Sequence, residues 1–157
     1  MGTADRKNVF PVSIETFAAL LKEVGYDHYH VDEEGGRISL DIKGDETRLR
    51  LQVNEGRAPN GEVWYTRMIA YSLDFEPISA GMDKTVLLQW LNLKNSDLLF
   101  GRYYFDEKTD TVAYEIAVPC NGGIHGADFL DMLRIATVTV DRTHVELAAL
   151  TAKTLQN

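Results

Sequence analysis

The chain has 157 residues, 45% of them apolar and 25% charged, the mix of one globular domain that needs no disulfide or metal to fold. Sixteen Lys and Arg stand against 24 Asp and Glu, a net charge of −8 with no local basic run, which excludes nucleic acid and anionic membrane surfaces as partners. Cys120 is the only cysteine, so no intrachain disulfide can form, and with no signal core or membrane-length apolar run the expectation is a soluble cytoplasmic protein.

The first helix signal is Ser13, whose hydroxyl can accept from the free amides of a first turn. Ile14, Phe17, Ala18, Leu20, Leu21 and Val24 then recur at helical spacing, and Gly25 supplies the stop, which predicts a helix over 14–24. The period next changes to two. Tyr29 and Val31, then Ile38, Leu40 and Ile42, then Leu49, Leu51 and Val53 alternate with polar residues. Turns at Glu34-Gly35-Gly36 and Gly44-Asp45 join them as an antiparallel meander with one wet face. Gly56, Pro59 and Gly61 predict a long loop over 54–62, and the aromatic, branched run 63–75 predicts a further strand.

A second helix is predicted from Asp83 to Asn95. At about 100° per residue its apolar side chains, Val86 to Leu93, cover an arc of roughly 220°, against roughly 100° for an ordinary surface helix. One sheet cannot cover so broad a face, so another helix or a second subunit is expected against it. Strands follow over 98–105 and 111–118, joined by the polar turn 106–110. Helical spacing returns from Ala127 through Leu150. The β-branched run Thr137-Val138-Thr139-Val140 predicts a kinked or two-piece terminal helix. The fold class is therefore α+β: one domain with its core over about 13–150 and mobile ends at 1–10 and 151–157. It should hold an antiparallel sheet of five to six strands with helices packed on it, in the order α-βββ(β)-α-ββ-α.

Three stretches carry a family likeness: Leu87-Leu88-Gln89-Trp90-Leu91-Asn92-Leu93-Lys94-Asn95, Phe100-Gly101-Arg102-Tyr103-Tyr104-Phe105-Asp106 and Asp128-Phe129-Leu130-Asp131-Met132-Leu133. With the element order, they resemble the bacterial YbjN family of sensory transduction regulators and the fold of type III secretion chaperones. The resemblance implies a small, dimeric, non-enzymatic domain that binds protein segments. It carries over no functional residue, because that family has no defined catalytic set.

Residues with chemical potential are few. Cys120 lies five positions before His125, a spacing that would suit a thiol activated by imidazole in a hydrolase, or a small buried apolar residue near a solvent histidine. His28 and His30 flank Tyr29 on a predicted strand, so both rings would share a face with Asp32 and could hold a metal, or simply lie on a wet edge. Asp106, Glu107 and Asp110 surround Lys108 without calcium-loop spacing and read as a hairpin tip. No phosphate loop, nucleophile elbow or dinucleotide fingerprint is present.

Strand aromatics and the apolar helix remain. Alternation puts Tyr65 and Tyr103 opposite Trp64 and Tyr104, one set inward and one outward. The expectation is a non-enzymatic, cofactor-free homodimer that binds a protein or peptide through Leu87, Leu88, Trp90 and Leu91, with Trp64 and Tyr104 as further anchors. The rival reading is a small-molecule or metal sensor that uses a sheet–helix pocket or the His28/His30 pair.

Overall fold

A computed structural model describes residues 9–120 and 122–156. In chain order the elements are β1 (Val9–Phe10), α1 (Ile14–Glu23), β2 (His30–Asp32), β3 (Arg37–Lys43), β4 (Arg48–Arg57), β5 (Val63–Ser72), α2 (Lys84–Asp97), β6 (Arg102–Asp106), β7 (Thr111–Pro119), β8 (Ile124–His125) and α3 (Gly126–Thr154). Six strands form one antiparallel sheet in the order β2-β3-β4-β5-β7-β6. The expected α+β class and the antiparallel sheet are both present.

Alternation along the strands decides the inner face. Ile38 and Leu40 on β3, Leu49, Leu51 and Val53 on β4, Met68 and Ala70 on β5, and Tyr114 and Ile116 on β7 enter one core cluster. Phe17, Leu20 and Leu21 of α1, Leu87 and Leu91 of α2, and Phe129, Leu133, Ala136, Val140 and Leu147 of α3 close over them. Phe17 and Phe129, both fully buried, stack with ring centroids 5.5 Å apart and so tie the first helix to the last.

α1 starts where Ser13 predicts. The Ser13 hydroxyl accepts from Thr16 N at 3.2 Å, and Glu55 Oε1, reaching from β4, accepts from Ile14 N at 3.0 Å. β4 itself runs to Arg57, through residues that read as loop. Gly56 sits at a bulge in the pairing with β5, and the Tyr65 ring lies where a Cβ of residue 56 would be, 2.3 Å away. An aromatic ring packed across the glycine therefore replaces the side chain that the strand lacks.

Two expectations need correction. The terminal helix is a single run of 29 residues rather than two pieces. Ala136, Val140 and Thr143 are buried, and Thr137 Oγ1 donates to the Leu133 carbonyl at 2.9 Å, so burial outweighs the modest propensity cost of the β-branched run. Phe100 and Gly101 lie before β6, which begins at Arg102 rather than at 98. Val9–Phe10 pair with β8. Residues 1–8 and 157 of the expected mobile ends lie outside the described residues, while Thr151 is buried within α3.

α3 also fixes the β3–β4 turn. The Asp141 carboxylate accepts from the backbone amides of Asp45, Glu46 and Thr47, each at 3.0 Å. Gly44 makes room for it, because a Cβ there would stand 2.1 Å from Asp141 Oδ1. Asp141→Ala should lower the unfolding free energy by about 2 kcal/mol, the scale of hydrogen bonds to a charged group. Urea titration checks this, with a lower midpoint and an unchanged slope as the expected result.

Candidate functional site

α2 begins at Asp83, whose Oδ1 accepts from Val86 N at 3.0 Å. About one and two turns later its inner face is set by Leu87 and Leu91, both buried. Trp90 is half-buried and packs on Tyr103 at 5.8 Å between centroids, and Tyr103 in turn packs on Tyr114 at 5.1 Å. The Tyr103 hydroxyl oxygen lies 2.6 Å from Thr143 Oγ1 of α3, and burial pushes its pKa upward. Lys94 Nζ stands 5.8 Å from the centre of the Trp90 ring and bonds to Glu146 of α3 at 2.7 Å. The helix is thus tied to β6 and to α3 at the same place.

Asn95 completes the attachment. Its Oδ1 accepts from Tyr103 N at 2.7 Å, and its Nδ2 donates to the Tyr103 carbonyl at 3.0 Å. Between Asn95 and β6 the chain turns outward. The Tyr114 hydroxyl donates to the Phe100 carbonyl at 2.5 Å, and Gly101 adopts φ +67°, the left-handed region open to glycine.

The outcome is a set of large apolar side chains facing solvent: Leu88 at 47% exposed, Leu93 at 65%, Leu99 at 91% and Phe100 at 62%. Leu88 and Leu93 stand roughly 140° apart around the helix, one on each flank of the outward face, with Gln89 and Asn92 between them. Only the middle of the wide apolar arc is covered within the protomer.

The sequence-based candidates therefore separate. Leu87 and Leu91 are sealed in the core, Trp90 is wedged on Tyr103, and Leu88 is exposed. Trp64 is 54% exposed at the start of β5, and Tyr104 is half-buried on the opposite face of the sheet. The expected grouping of Trp64 with Tyr104 is corrected by the register. Tyr104 pairs with Ala113 and Ala113 with Tyr71, so Tyr104, Tyr71 and Tyr65 share the outer face, and Trp64 has the inward parity of Met68. Leu99 and Phe100 were missed because they read as strand residues. Gly101 directly after them is the one signal that the strand starts later.

The reactive pairs do not assemble. Cys120 is buried, with Sγ 3.2 Å from the Val118 carbonyl and 3.6 Å from Thr66 Oγ1, whereas His125 is exposed on β8. His30 lies on β2, but His28 precedes it outside the strand. The Asp32 carboxylate is committed to Gly35 N at 2.9 Å and to Arg37 at 2.8 Å, which lower its pKa. Both histidines border an open cleft of 490 Å³ with Asp41 and Arg50. Among the described residues no group of three or more His, Cys, Asp or Glu is placed to hold a metal ion. Asp106 and Asp110 bind backbone amides, Lys108 N at 2.9 Å and Ile78 N at 2.9 Å respectively, as a hairpin tip does.

Arginines on the outer sheet face are paired with carboxylates. Arg50 bonds to Asp41 at 2.7 Å, and Arg48 bonds to Asp74 at 2.7 Å. With three bonds from Arg48, two from its side chain and one from its backbone amide, and one from Thr47, Asp74 has its pKa lowered to about 2. The buried Glu115 takes Arg67 on one oxygen and Arg102 on the other, the latter at 2.8 Å. Among the described residues no helix is long and apolar enough to cross a membrane.

Comparison with curated proteins and with solved structures finds no match. A family model described as "YbjN: Putative bacterial sensory transduction regulator" matches residues 13–147, and the chain belongs to that family.

Proposed function

We propose that the chain is a non-enzymatic regulatory domain of the cytoplasm that acts by binding protein, with a secretion-chaperone-like use of its middle helix. Its first partner on this reading is a second copy of itself, docked over α2 and residues 98–101. One observation carries the proposal: three helices are already packed on the sheet, yet Leu88, Leu93, Leu99 and Phe100 remain exposed. Scattered exposed leucines are ordinary, but four large apolar chains within 13 positions of one surface helix and its exit loop are not. The loop is pinned by Tyr114 and Asn95, so the side chains are held ready and little ordering entropy is lost on docking. The buried, unpaired Cys120 suits a reducing compartment.

Light scattering tests the proposal. The native chain should have twice the protomer mass of 17.7 kDa at micromolar concentration. The double substitution Leu99→Ser, Phe100→Ser should run as a folded monomer, since both side chains point to solvent. A native chain that stays monomeric across that range ends the homodimer reading.

A further inference from the structure

All three helices cover one face of the six-stranded sheet, and the bare face carries a partly enclosed cleft of 250 Å³. Strand pairing builds it. Tyr71, Ala113 and Tyr104 form one row across β5, β7 and β6, with all three side chains on the outer face. Neighbouring strands lie about 4.8 Å apart, so the two tyrosines rise from backbones about 9.6 Å apart with only a methyl group between them. One flat ring in contact with both walls needs about 7–8 Å, which leaves room for a single ring system. The floor is apolar, because Ile69 and Ala113 are buried although no helix among the described residues covers them.

Size and polarity narrow the occupant. A void of about 150 Å³ takes benzene, and drug-sized ligands occupy about 300–1,000 Å³. A cleft of 250 Å³ lies between these and suits two fused rings. At its ends, the Gln52 amide has no hydrogen-bonding side-chain partner among the described residues. Asp106 uses Oδ1 for Lys108 N at 2.9 Å and keeps Oδ2 open. Arg37 at the rim is neutralised by Asp32 at 2.8 Å, so no free cation of the cleft awaits a phosphate or carboxylate. The open groups are an amide at one end and an anionic acceptor at the other, which match a ligand that donates N–H at both ends.

We propose that this cleft binds an uncharged nitrogen heterocycle of two fused rings, stacked between Tyr71 and Tyr104 over Ala113, with N–H groups at its two opposite ends, one toward Gln52 and one toward Asp106. The site is independent of the docking surface on α2, since it lies on the other face of the sheet. Titration of the native chain with adenine, followed by amide NMR, tests it. Saturable shifts are expected at Ile69, Tyr71, Tyr104 and Ala113. Tyr104→Ala should weaken binding by about tenfold, the loss expected for one stacking ring. Gln52→Ala removes a side chain that makes no hydrogen bond among the described residues, and it should weaken binding severalfold even if the tyrosine variant fails to fold. Absence of saturable shifts, shifts confined to another surface, native-like binding by the folded variants, or binding of adenosine monophosphate without binding of adenine would each overturn the assignment.

Discussion

Phe129→Ala should remove about 3–5 kcal/mol of stability, the range for deleting a buried aromatic ring. Both Phe129 and Phe17 are fully buried, and their rings stack at 5.5 Å with planes 10° apart. The contact joins the start of α3 to α1, so its loss opens a cavity that neither rigid helix can easily close. A domain of this class has about 5–15 kcal/mol in total, so the variant would be marginal at room temperature. Equilibrium denaturation measures the effect. A loss below about 1 kcal/mol would mean that α1 collapses into the gap, and the two helices would then be less firmly seated than their packing indicates.

Gly101→Ala should be the most damaging change at any exposed position. Residue 101 has φ +67°, and a Cβ there would stand 2.5 Å from the Glu115 carbonyl oxygen, a backbone atom that cannot step aside. The left-handed conformation alone costs a non-glycine residue about 1–2 kcal/mol. Displacing the turn also breaks the Tyr114–Phe100 hydrogen bond, worth about 1 kcal/mol more. A total near 3 kcal/mol corresponds to a fall of roughly 6–12 °C in Tm for a chain of this length. Tyr114→Phe separates the contributions, because it removes the hydrogen bond and leaves the glycine in place. If the loop is the docking element, Gly101→Ala should also weaken the dimer, and Tyr114→Phe should weaken it less.

Much of the fold was legible because single residues announced it. Ser13 caps the helix that it was expected to cap, α2 starts within one residue of the predicted Asp83, and the alternating triads at 38–42 and 49–53 face the core as their period requires. The failures share a physical cause: a distant contact overrode a local preference. The β-branched run in α3 stays helical because its inner positions are buried, and β4 continues through Gly56 because Tyr65 fills the space above it. The candidate surface was half legible. An apolar arc too wide for one layer was visible in residues 86–93, but which leucines emerge depends on where β6 anchors the helix. That anchor is Asn95 reaching Tyr103, a pairing that no periodicity reveals. The outer aromatic row needed the register across three strands, and one strand's alternation cannot supply it.

Asn95 has a consequence for growth of the sheet. By bonding to both backbone groups of Tyr103 it occupies the outer edge of β6 at that residue, as a partner strand would. At the far side β2 pairs with only Arg37–Ser39 of β3, so the rest of that strand has amide and carbonyl groups without a neighbouring strand. Asp41, Lys43 and the Arg50 paired with Asp41 crowd that stretch with charge, which an incoming strand would have to desolvate. Both borders are thus closed to runaway stacking of copies, one by a plug and one by a fence. Fibre-like, edge-to-edge addition of copies is thereby disfavoured.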